Sequence, residues 1–231
     1  MTEIHPAQET HSGLGAQTGH WPKALFTVAL LFSIFQIVTA AYHPVSTQVL
    51  RAGHVGFLLM LIFLSIPLHG RARPWQPLAW MLALLGMSTA LYQWYFEADL
   101  IQRSGELTDA DRVMGLLTLI LVFEGARRVM GPALPLLCGL FLAYGLFGQY
   151  LPGDLAHRGY GLDQIINQLS FGTEGLYGTP TYVSATYIFL FILFGAFLEQ
   201  AGMIRLFTDF AMGLFGHRLG GPAKVSVVSS A

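Results

Sequence analysis

An all-α fold with several membrane spans is the class this sequence predicts, and three observations carry it. Hydrophobic residues make up 54% of the 231 and charged residues 11%, under half of the roughly 25% usual in soluble domains. That much apolar surface exceeds what a globule of this length buries. Residues 175–198, between Glu174 and Glu199, form a 24-residue run without formal charge. At about 1.5 Å per residue this is enough helix to cross a bilayer core of roughly 30 Å.

Charge and cysteine content narrow the function classes. A formal net charge of −1 gives no basic surface for nucleic acid and no bias toward an anionic membrane face. The single cysteine, Cys138, sits in an apolar run, so no intramolecular disulfide exists, and a small packing residue is the simplest role for it. Residues 1–22 are polar, with Glu3, Glu9, His5, His11 and His20 and no lysine or arginine in the first twenty. They predict a disordered cytoplasmic tail rather than a cleavable signal peptide. His5 and His11 match no tight metal-site spacing.

Six spans are expected along the chain. The first, about Ala24 to Tyr42, follows Trp21 and Lys23, an aromatic and a basic anchor for the interface. His43-Pro44 ends it. The second, about Ala52 to Leu68, carries His54 near its start, within reach of the interface. Gly70–Pro77 is a basic, proline-rich turn. The third, about Leu78 to Phe96, closes on Tyr92, Trp94, Tyr95 and Phe96.

Residues 97–112 are the most charged stretch. Within them Thr108-Asp109-Ala110-Asp111 has the composition of a helix N-terminus, carboxylates facing free amides. The fourth span, about Val113 to Met130, ends with Glu124, Arg127 and Arg128 at spacings that pair on one helical face near water. In the fifth, about Pro132 to Tyr150, proline stands where a helix start tolerates it.

In the glycine-rich connection 151–181, Leu162, Ile165, Ile166 and Leu169 form one helical stripe, which predicts a helix lying on the membrane surface. The sixth span, Tyr182–Leu198, closes on the polar turn Glu199–Gly202. A second amphipathic stripe follows, with Met203, Leu206, Phe207, Phe210, Ala211, Leu214 and Phe215 on one face and Arg205 and Asp209 opposite.

With the N-terminus inside, Lys23, Arg71, Arg73, Arg127, Arg128, Arg205, Arg218 and Lys224 lie on the cytoplasmic side, against Arg51, Arg103, Arg112 and Arg158 outside. The excess of inner basic residues favours that orientation.

Catalytic signatures are missing: the chain has no G-x-S-x-G, no H-E-x-x-H and no Walker loop. A membrane haem enzyme needs facing histidines within spans, and His43 and His54 lie on different helices without histidine partners. Ser184 and Thr186 in the sixth span and Glu199 at its end are the candidate substrate-binding residues. Glu199 closes an uncharged run, where an ionisable group is a functional candidate, although a solvated helix end near Arg205 accounts for it as well. Ser184, Ala185, Gly195 and Ala196 permit close helix approach.

From about Tyr187 the chain resembles the opening of the large membrane subunit of TRAP transporters. Gly195-Ala196-Phe197-Leu198 with Gly202 closes the span, an amphipathic stretch follows, and Gly216, Gly220 and Gly221 precede the next helix. Upstream, EGARRVMGPALPLLCGLFLAYGLFGQYLPG and HRGYGLDQIINQLSFGTEGLYGTP resemble fused permeases, in which small and large membrane subunits share one chain. The likeness is dense over 113–231 and amounts to a helix count over 24–112.

It implies uptake of a small organic anion, a carboxylate, across the bacterial inner membrane, and no enzymatic activity. A sodium gradient would drive it, with no other cofactor, and a TAXI-type periplasmic binding protein would deliver the solute. Residues 1–22 are then the tail, 23–130 a four-helix small-subunit-like scaffold, 131–181 a linking span and interfacial helix, and 182–231 the start of the large domain. The family's ion- and substrate-holding re-entrant hairpin is expected beyond Ala231, so no transport-site residue carries over onto this chain. A structural or assembly subunit without transport is the alternative; a membrane redox enzyme would show haem or flavin absorbance.

Overall fold

The computed structural model describes residues 20–66, 76–103 and 105–215. Residues 1–19 of the tail, the part of the basic turn with Arg71 and Arg73, and the final stretch with Gly216, Gly220 and Gly221 lie outside the described residues, whereas His20–Pro22, expected in the tail, open α1.

Every described element is helical. α1 (His20–Tyr42) ends at His43, where a positive φ of 48° breaks the helix ahead of Pro44. α2 (Thr47–Ser65) starts earlier than its apolar run predicts, because the Ser46 hydroxyl accepts from the Val49 amide and caps it. α3 (Gln76–Tyr95) and the short α4 (Glu97–Gln102) follow. α5 (Asp109–Met130) opens on the expected N-terminus, a full capping box between Thr108 and Asp111, and stops at Gly131, whose φ of 81° suits glycine. α6 (Ala133–Phe147) continues through a 3-10 turn to Tyr150.

α2 and α3 pack most closely, through small residues. A Cβ on Gly56 would stand 2.6 Å from the Ala90 methyl, and one on Gly86 would stand 2.9 Å from Leu59. Val28, Leu59, Phe63, Leu64, Ala83 and Leu121 form the buried core where α1, α2, α3 and α5 meet. Gly56→Ala gains up to about 1 kcal/mol of helix propensity but overpacks this contact at a cost of about 1–3 kcal/mol. A net loss of about 1 kcal/mol is expected, read as a lower unfolding midpoint in detergent; an unchanged midpoint would mean that the two helices are not in contact.

Among the described residues four helices are long and apolar enough to cross a membrane: Lys23–Tyr42, Thr47–Ser65, Ala133–Tyr150 and Thr179–Gln200. α3 and α5 have the length, 20 and 22 residues, but carry more polar side chains. α6 and the last helix present broad apolar flanks, with Leu136, Phe141, Phe191 and Ile192 all exposed. Cys138 is exposed on α6 as well, not packed inside as its apolar run suggests, because that helix has neighbours on one side alone.

The connection departs most from expectation. α7 (Leu162–Ile166) runs into a π-helical turn, Asn167–Phe171. Its apolar stripe does not simply lie on the membrane: Ile166 is buried against Gly115 of α5, Ser170 and Tyr177 are fully buried, and Leu162 alone of the stripe is broadly exposed. The last long helix is α8 (Thr179–Val183), a π turn at Ser184–Ile188, then α9 (Phe189–Gln200). Gly202, φ 77°, closes it, and α10 (Met203–Phe215) follows with Leu206, Phe207 and Phe210 exposed.

Candidate functional site

Two π-helical turns lie where the connection and the last helix meet α1, α2, α3 and α5. A π turn shifts backbone bonding from i−4 to i−5 and leaves carbonyls that need outside donors. Glutamines from three different helices supply them. Gln93 of α3 donates to Ser170 O at 2.7 Å, Gln48 of α2 to Phe171 O at 3.2 Å, and Gln36 of α1 to Ala185 O at 2.9 Å. In return the Ser170 hydroxyl donates to Gly115 O of α5 at 2.8 Å. Gly115 has no side chain, and a Cβ there would stand 2.5 Å from Ile166, so the close approach requires glycine.

The Gln36 amide nitrogen also contacts His54 Nδ1 at 2.5 Å. Because that nitrogen must donate to Ala185 O, its second hydrogen goes to Nδ1, which therefore accepts. The imidazole proton then sits on Nε2, facing Ser184 Oγ at 3.2 Å. His54 is 2% exposed, boxed by the Phe32 and Phe189 rings. It does not reach the interface, as its place near the start of a span suggests, since α1 and the last helix close over it. Ser184 and His54 do not make a nucleophile–base pair: the ring nitrogen facing the hydroxyl carries a hydrogen, and the other is occupied by an amide.

Of the three sequence candidates, Ser184 lies in this polar seam. Thr186 donates back to Tyr182 O at 2.7 Å, within its own helix. Glu199 is exposed at the far end, fifteen positions from Ser184, about 22 Å at helical rise, and makes no ion pair with Arg205 among the described residues. The structure therefore does not bring the three together. Gln36, Gln48, Gln93 and His54 were missed as a group. The available signal was Gln36 inside the first span and His54 inside the second, polar side chains whose placement is costly unless partnered; Gln48 and Gln93 lie close to helix ends and gave none.

Arg51 closes the seam toward the α1–α2 turn. It donates to Tyr177 O at 2.6 Å and lies over the Tyr182 ring at 5.1 Å. Tyr177 is fully buried, and burial pushes its hydroxyl pKa up. At the same end, Asp111 accepts from Tyr92 (2.7 Å), from the Thr108 amide (2.8 Å) and hydroxyl (2.7 Å), and from Arg103 (3.1 Å). Burial alone would raise its pKa, but the Tyr92 and Thr108 hydrogen bonds and the Arg103 charge prevail and hold it below the ordinary value. Arg112 ties α5 to α7 through Asp163 at 2.9 and 3.0 Å. At the opposite end Glu124 pairs with Arg127 and Arg128, as their spacing predicts, and Arg128 is drawn inward over the Phe63 ring.

An all-α bundle with membrane-length apolar helices and irregular helix turns held by buried polar side chains defines a polytopic membrane protein. Residues 117–231, just short of half the chain, match the family described as Tripartite ATP-independent periplasmic transporter, DctM component. That stretch is similar to the large component of TRAP transporters, which supports a transporter permease component. No curated protein and no solved structure matches the chain.

Proposed function

We propose that this chain is a membrane permease component of a TRAP-type secondary transporter, fused from small- and large-subunit parts. It takes up a small organic carboxylate across the bacterial inner membrane, driven by a sodium gradient and supplied by a TAXI-type periplasmic binding protein. The observation that carries this reading is the family match, which starts within α5 and runs through the docked connection, the last span and α10. α1 to α5 then form the four-helix scaffold of a chain that has six spans and a cytoplasmic N-terminus. The seam of Gln36, Gln48, Gln93 and His54 anchors the start of the transporter-like part to that scaffold. Ser184, Thr186 and Glu199 stay candidate contacts for substrate, Ser184 being the one placed among other polar groups.

The test is uptake of labelled small carboxylates by cells with and without the gene, in sodium and in potassium media. Loss of a sodium-dependent uptake on deletion, restored by complementation, is the expected result. Equal uptake by both strains for every carboxylate tried, or restored uptake that ignores a collapsed sodium gradient, would refute it.

A further inference from the structure

Arg51 is a half-buried guanidinium whose near partners are the Tyr177 carbonyl and the Tyr182 ring. Arg103, Arg112, Arg127 and Arg128 each meet a carboxylate, whereas no described carboxylate lies within 4.0 Å of Arg51. Its one hydrogen bond runs from Nη1 to Tyr177 O. Nε is buried and has no partner, so the Nε–Nη2 edge, which a two-oxygen anion fits side-on, is unused.

Two helix N-termini flank this group. α2 begins at Thr47, about one turn before Arg51, and the 22-residue helix Thr179–Gln200 begins two residues after Tyr177, whose carbonyl Arg51 holds. Each N-terminus behaves as roughly half a positive charge. Glu97 reaches the α2 cap through the Ser46 hydroxyl but not the guanidinium. A partly buried cation between two positive helix ends is costly without an anion. The Tyr182 ring and the Tyr177 carbonyl hold it in place for one.

We propose that Arg51 is the centre of a binding site for a single oxyacid group, a carboxylate or phosphate, entering at the end of the bundle that holds the α1–α2 turn. Two sources present that chemistry: a free small anion and a phospholipid headgroup. The site goes beyond the transporter reading and does not depend on it.

The test uses the full chain in phosphatidylcholine nanodiscs. Acetate and inorganic phosphate are titrated calorimetrically, and in a second arm phosphatidylglycerol is added to the discs and retained lipid is counted by native mass spectrometry. The wild type is expected to show saturable binding in at least one arm. Arg51→Gln weakens it about tenfold or more, Arg51→Lys weakens it less because it keeps charge but loses the fork, and Arg158→Gln, at an exposed arginine of the same end, leaves it unchanged. Binding of the free anions assigns the site to a solute, and Arg51-dependent lipid retention assigns it to a headgroup. Absence of saturable binding by the wild type in both arms overturns the proposal without reference to any variant, as does wild-type affinity in Arg51→Gln.

Discussion

Asp111→Ala is expected to lower the unfolding free energy by about 3–5 kcal/mol, the usual cost of stranding the partners of a buried charge. Four donors converge on this carboxylate, from α3, from the residue after α4, and from the capping box of α5. Removing it leaves the Tyr92 hydroxyl, Arg103, and the Thr108 amide and hydroxyl without their acceptor, although the residue-111 amide can still donate to the Thr108 hydroxyl. At about 2–4 °C per kcal/mol for a chain of this size, the thermal midpoint in detergent falls by about 10 °C. The same residue gives the stability a pH dependence. Its folded pKa lies below 3.8, so its contribution is present above 3.8 and is lost as pH falls through that value toward the folded one. Asp111→Asn should lack this part of the acid slope. A midpoint for Asp111→Ala within about 2 °C of wild type would show that the cluster does not hold the bundle.

Gln36→Leu ranks second, at about 2 kcal/mol. It strands two buried acceptors, His54 Nδ1 and Ala185 O, each costing about 1–3 kcal/mol less whatever relaxation recovers. The effect depends on His54. In a double-mutant cycle with His54→Leu the two changes should cost less together than their sum, by about 1 kcal/mol, because they share one network. Additivity to within about 0.3 kcal/mol would mean that the two side chains act independently.

The parts of this fold that were legible in the sequence are those where one local signal decides. Length and apolarity gave α1, α2, α6 and the last helix. The composition of Thr108–Asp111 gave the start of α5, and the spacing of Glu124, Arg127 and Arg128 gave their pairing. The connection was not legible, since the stripe Leu162, Ile165, Ile166 and Leu169 looks the same facing lipid or facing α5. Only Gly115, some fifty residues upstream, makes room for Ile166, and no local pattern reports that. The π turns were hidden for a related reason. Ser184–Ile188 has ordinary helical composition, and its widening is supported by Gln36 and His54 from other helices. Ser184 was singled out as a polar residue in a span, but its partners required the tertiary fold.

The docking of the connection into the bundle joins the transporter-like half to the N-terminal helices, and one disulfide tests it. Gly115→Cys with Ile166→Cys, in a Cys138→Ser background, places two Cβ atoms within the separation a disulfide needs. Mild oxidation of native membranes should form an intramolecular bridge that blocks both thiols from a membrane-permeant maleimide until reduction. Full labelling of both cysteines after oxidation would place residues 162–171 away from α5 and contradict the account.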